Sequence, residues 1–142
     1  MGYSLIIGEK KIETEDGFTR VWAEDARHDS APAFGDPTDY TNERWPSYST
    51  WNDFCRNTGL YDLFYTHEKA LIYEHPGWQP LTLHHQAVIN AAYKKYKRDH
   101  PTAQTHMMPY NTTNGYLCRL EWLKYWVDWA LENCKNPVFC NS

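Results

Sequence analysis

The chain has 142 residues, 42% hydrophobic and 23% charged, with a formal net charge of −4. That composition fits one folded domain over residues 1–142 and excludes a disordered chain. So mild an acidity argues against bulk nucleic-acid binding, and no run approaches the ~20 apolar residues that span a membrane.

The N-terminus lacks a charged segment followed by a long apolar one, so no secretory signal is read there. Four cysteines, Cys55, Cys118, Cys134 and Cys140, show no CxxC spacing. In a chain without an export signal they are expected to be reduced and largely buried, which points to a cytoplasmic protein. Seven Trp, eleven Tyr and five Phe make up 16% of the chain. A core absorbs most of these, and the remainder are candidates for a recognition surface.

Tyr3, Leu5 and Ile7 alternate before Gly8-Glu9, and Lys11 to Glu15 leads into Asp16-Gly17, a strong hairpin signal. With Phe18, Arg20 and Trp22 alternating on the return, the pattern predicts a three-stranded antiparallel meander over about residues 3–25. From His28 to Ser47 the pattern stops at Pro32, Gly35, Pro37 and Pro46. At roughly 20 residues this segment exceeds the usual connection, and such loops tend to be functional. Phe34, Tyr40, Trp45 and Tyr48 would anchor it to the body.

Ser47 or Ser49 can cap a short helix to about Asn57, with Gly59 as its stop and Trp51, Phe54 and Cys55 inward. Leu60 to Tyr73 has no single period: a short helix or turn and then an extended piece is the reading. His75 to Pro80 reads as a turn. Thr82 caps a second helix, Leu83 to about Asp99. Its inner face is His85, Val88, Ile89, Ala92 and Tyr96, and its outer face is Gln86, Asn90, Lys94, Lys97 and Arg98. A polar loop follows over residues 101–115, around Met107, Met108 and Tyr110.

Tyr116 to Cys134 predicts the central helix. Leu117, Leu120, Leu123, Val127, Ala130, Leu131 and Cys134 share one face, and Trp122, Trp126 and Trp129 line the far side. Glu121, Lys124, Tyr125, Asp128 and Glu132 form the polar strip, with Lys124 and Asp128 spaced for an i,i+4 pair. A helix apolar on two sides is expected between other elements. Pro137-Val138-Phe139 folds back as an extended tail. The fold class is therefore α+β: the N-terminal meander packed on about three helices, with the C-terminal helix buried at the centre.

No metal motif is present: His84 and His85 are adjacent and diverge on a helix, and HExxH and zinc spacings are missing. Neither a P-loop nor GxGxxG occurs, so nothing calls for a nucleotide cofactor, or any other cofactor. There is no GxSxG elbow, and no catalytic residue is assigned. His28 and Asp29 could supply an acid and a base for a small hydrolase, though Asp residues in such loops commonly make local turns.

Cations and aromatics offer a binding reading instead. Tyr40, Asn42, Arg44, Trp45 and Tyr48 in the loop, with Lys94, Lys97 and Arg98 on the helix, would hold a small anionic ligand between aromatic walls. The alternative for the helix cations is a solvated face favoured by the helix dipole. The same aromatics could instead anchor a partner protein.

The stretches APAFGDPTDYTNERWPSYSTW and RLEWLKYWVDWALEN resemble small proteins of tailed bacteriophages. The resemblance implies a short cytoplasmic protein of an infected bacterium that binds a host factor or a signalling nucleotide, and assigns no residue a role.

Overall fold

Gly8 does not break the first strand. In the computed structural model, which describes residues 1–34, 37–105 and 112–142, β1 runs through it without interruption as Leu5–Glu15. Asp16 and Gly17 then turn the chain, both with positive φ, into β2, Phe18–Ala23. Residues 3–25 therefore form a two-stranded hairpin rather than a three-stranded meander. A break at Gly8-Glu9 would divide into two what is one continuous strand.

The rest of the antiparallel sheet comes from further along the chain. β3, Glu43–Arg44, pairs with Leu5 and Ile6. The tail strand β5, Pro137–Asn141, pairs with Leu5 to Glu9 of β1. β4, Gly77–Pro80, pairs with β5, giving the order β2-β1-β5-β4. The expected turn from His75 to Pro80 thus ends in a short edge strand, where Pro80 is tolerated. The α+β class holds: among the described residues there are five antiparallel strands with four helices.

Helix α1, Tyr48–Thr58, begins where Ser47 accepts the Thr50 amide and ends at Gly59 with φ 75°. This left-handed stop suits glycine. Trp51, Phe54 and Cys55 face inward. The ambiguous stretch folds as α2, Tyr61–Tyr65, and a series of turns that bury Ala70, Leu71 and Ile72. No extended piece follows.

α3, Leu83–Asp99, is capped by Thr82, and His85 completes a capping box. α4, Thr113–Asn133, is capped by Thr112. Met107, Met108 and Tyr110 of the intervening loop lie outside the described residues.

α4 packs against α3, β1 and α1. One buried cluster joins Leu5 and Ile7 of β1, Trp51 and Phe54 of α1, Ile89 of α3, Leu120, Leu123 and Val127 of α4, and Phe139 of β5. The tryptophan side is covered as well. Trp122 and Trp126 are 1% and 0% exposed, and Trp129 is half-buried. The Trp122 indole donates to the Thr41 carbonyl at 3.0 Å, and His28 lies against Trp126 and Trp129 at ring separations of 4.8 and 5.1 Å. The sandwiching element on this side is thus the proline-broken segment itself. No helix among the described residues is long and apolar enough to cross a membrane.

Candidate functional site

Beyond the pairing of β3 with β1, the Asn42 side-chain amide ties residues 37–44 to the sheet. Asn42 is 1% exposed; it donates to the carbonyls of Ile7 and Glu24 at 2.8 Å each and accepts the Ala26 amide at 3.0 Å. This fixes the entry into β3, where Arg44, two residues on, points inward. Arg44 is 7% exposed and donates through Nη1 to the Thr38 carbonyl at 2.6 Å and the Glu43 carbonyl at 3.0 Å. The Asp39 carboxylate stands 3.7 Å from its Nη2.

From α4 a second guanidinium arrives. Arg119 is 6% exposed, and its Nη2 donates to Thr50 Oγ1 at 3.3 Å. Thr50 in turn lies 2.7 Å from the Ser47 hydroxyl at the start of α1. Arg119 also opposes the burial that raises the Cys55 thiol pKa.

These groups converge on a cavity of about 270 Å³ lined by Phe34, Arg44, Trp45, Pro46, Ser47, Thr50, Trp51, Cys118, Arg119 and Trp122. Among the described residues its walls include three indoles, its polar groups are two guanidiniums, two hydroxyls and the Cys118 thiol, and Ser47 and Thr50 bring to it the positive end of α1. Buried guanidinium groups with hydroxyl donors can hold a phosphate or carboxylate, and the indoles can cover a flat apolar moiety. The buried Trp51 indole N–H has no hydrogen-bond partner among the described residues.

Of the residues the sequence nominated, Arg44 and Trp45 line this cavity. Asn42 does not; it is a backbone staple. Tyr40 is half-buried at φ 66°, with the Arg27 guanidinium 4.9 Å from its ring. Tyr48 is 37% exposed and turns to His75 Nε2, 3.1 Å away. Lys94, Lys97 and Arg98 are exposed on α3 and line none of the described concavities.

Arg119 was missed. It follows Cys118 on the tryptophan side of the helix, seven residues before Trp126, and a lone cation on an apolar stripe was the available signal.

A wider cleft of about 760 Å³ lies between the polar strip of α4 and residues 30–34. Several of its polar groups satisfy one another or a neighbour. Tyr93 donates to Glu121 at 2.6 Å, Lys124 pairs with Asp128 at 2.7 Å, and Gln86, read as outward, donates to Asp128 at 2.9 Å. Burial and the neighbouring Glu121 hold the Tyr93 phenol well above its ordinary pKa. His28 contacts this network through Nδ1, 3.0 Å from the Tyr125 hydroxyl. Its hydrogen-bond partner is Tyr125 rather than Asp29, which is exposed.

Among the described residues, no three His, Cys, Asp or Glu side chains gather where a metal ion could be held. Compared with known proteins, the chain matches no family model, and no curated protein or solved structure is significantly similar to it.

Proposed function

We propose that this protein binds a small organic anion in the Arg44–Arg119 cavity and holds it without transforming it. The observation that carries this reading is the convergence of two arginines, each more than nine-tenths buried, with three indoles on one cavity. Burying a cation is costly, and a chain that places two beside a cavity has a structural reason or an anion to meet. Arg44 serves both, because it braces Thr38 while lining the cavity. The described lining residues include no His, Asp or Glu positioned for proton transfer, which favours binding over catalysis.

At about 270 Å³ the cavity falls at the lower edge of the usual ~300–1,000 Å³ range for ligand sites. A mononucleotide or smaller acid suits it better than a cyclic di- or trinucleotide. The resemblance to small phage proteins adds a setting to the proposal: sequestration of such a ligand in the cytoplasm of an infected bacterium.

Thermal denaturation with a panel of nucleotides and organic acids tests the reading. A ligand at 100 times its Kd stabilises by about 2.7 kcal/mol, on the order of 10 °C for a domain of this size. Arg119→Gln, verified as folded by circular dichroism, should lose the response. No stabilisation by any anion near 100 μM overturns the reading.

Partner binding through exposed aromatics is the second reading. Tyr48 and His75 group with Tyr3 at ring separations of 4.7 to 5.5 Å, Tyr73 two residues before His75 is exposed, and Tyr, Trp and Arg dominate interface hot spots. It requires that substitutions at Tyr48 and Tyr73, outside the cavity, abolish capture of a host protein.

A further inference from the structure

Two of the three indoles around the cavity are already covered by the protein's own cations. The Arg119 guanidinium lies 5.6 Å from the Trp51 ring centre, and that of Arg44 lies 5.4 Å from the Trp122 ring centre. Trp45 differs. It stands in the same wall yet is 60% exposed, and among the described residues no ring or cation stacks on it. Leaving an indole of that size in water forgoes the burial free energy the other two gain.

The polar end of the cavity is equally specific. Three of the first four α1 amides are already engaged: Tyr48 N with the Met1 carbonyl, Thr50 N with Ser47 Oγ and Trp51 N with the Ser47 carbonyl. The helix start therefore offers mainly its dipole, with Ser49 the one of these four amides not engaged among the described residues. Direct hydrogen bonds to an anion would come from Arg119 and from one proton of the Ser47–Thr50 hydroxyl pair, since Thr50 Oγ1 also reaches the Ser47 carbonyl at 3.2 Å.

The geometry points to a ligand whose flat aromatic ring stacks on Trp45 while its phosphate or carboxylate meets Arg119 and the Ser47–Thr50 hydroxyl pair. Nucleoside monophosphates and aromatic carboxylic acids share that chemistry. This assignment rests on the cavity being an anion site and adds which end of the ligand each wall takes.

Isothermal titration of the full chain with AMP, benzoate, adenosine and inorganic phosphate, in wild type, Trp45→Ala and Trp45→Phe, tests it. Trp45 is exposed, so neither change should disturb folding. AMP or benzoate should bind, and the tighter of the two identifies phosphate or carboxylate as the preferred anion. Trp45→Ala should weaken that ligand by about tenfold or more, as loss of one stacked ring does, while Trp45→Phe stays near wild type. Inorganic phosphate should bind more weakly and be indifferent to both changes.

Equal binding of AMP and benzoate to wild type and Trp45→Ala, or phosphate binding as tightly as either, overturns the stacking and leaves the anion site standing. Adenosine binding as tightly as AMP, or no binding by any of the four, overturns the anion site as well.

Discussion

Asn42 sits directly over Gly8. A Cβ placed on Gly8 would come 3.1 Å from Asn42 Nδ2 and 2.9 Å from the Glu24 carbonyl oxygen that Asn42 bonds. Gly8 is where the staple between β1, β2 and β3 needs bare backbone. Asn42→Ala removes three hydrogen bonds and leaves buried carbonyls unsatisfied, so it should destabilise by about 2–4 kcal/mol. Gly8→Ala should cost about 1–3 kcal/mol by overpacking. Urea denaturation measures both, and their combination should be less than additive because they break the same contact.

The cap of α3 should be pH-dependent. Burial, followed by the nearby His84 and His67, lowers the His85 pKa, and its Nδ1 accepts the Thr82 amide at 3.0 Å only while unprotonated. The unfolded chain protonates first as pH falls. The stabilisation is therefore full above the unfolded value of about 6.5 and is lost as pH drops through the lowered folded one. His85→Gln keeps a capping-box residue that does not titrate. It should flatten the stability profile between pH 7 and 5, measured by urea midpoint.

The start of β5 should loosen in acid. The Lys135 and Asn136 amides donate to the two Glu9 carboxylate oxygens at 2.8 and 2.6 Å. They are the two largest causes that hold this carboxyl below its ordinary pKa, Lys135 first. A depressed carboxyl stabilises above its unfolded pKa and stops doing so as pH falls through the folded value. Hydrogen exchange at Val138 and Cys140 should speed up below about pH 4.5 relative to its intrinsic pH trend, and Glu9→Gln should remove that excess.

The cationic run on α3 should be dispensable for the cavity. Combined Lys94→Ala, Lys97→Ala and Arg98→Ala changes should leave the affinity for the preferred anion within about threefold at 0.15 M salt, since screening limits charges beyond ~8 Å. A tenfold loss in the same titration would place these residues at the site after all.

The sequence reveals elements well where local chemistry decides them. Ser47, Gly59 and Thr82 mark their helix ends through short-range capping, and the tryptophan stripe of α4 announces a helix covered twice. It reveals less where distant segments meet. Gly8 looked like an interruption because its purpose is to receive Asn42, 34 positions away in the numbering. Gly77 to Pro80 has too little alternation to read as a strand, and only pairing with β5 makes it one.

The candidate site follows the same rule. Lys94 to Arg98 stood out because their charges are adjacent in sequence, whereas Arg44 and Arg119 face one cavity from segments far apart in the chain. The cation and ring chemistry of Arg44 and Trp45 is present in the cavity; Tyr40, Asn42 and Tyr48 carry the same kinds of group, but their side chains are engaged with Arg27, the β1–β2 backbone and His75 instead.

The most direct test is a two-dimensional ¹H–¹⁵N spectrum of the indole region, assigned by single Trp→Phe substitutions and titrated with AMP and benzoate. Binding in the Arg44–Arg119 cavity predicts that the Trp45, Trp51 and Trp122 signals move together and saturate, while Trp22, Trp78 and Trp129 stay in place. Saturable shifts confined to Trp129, in the cleft beside Tyr125, or no shift at the three cavity indoles, would contradict it.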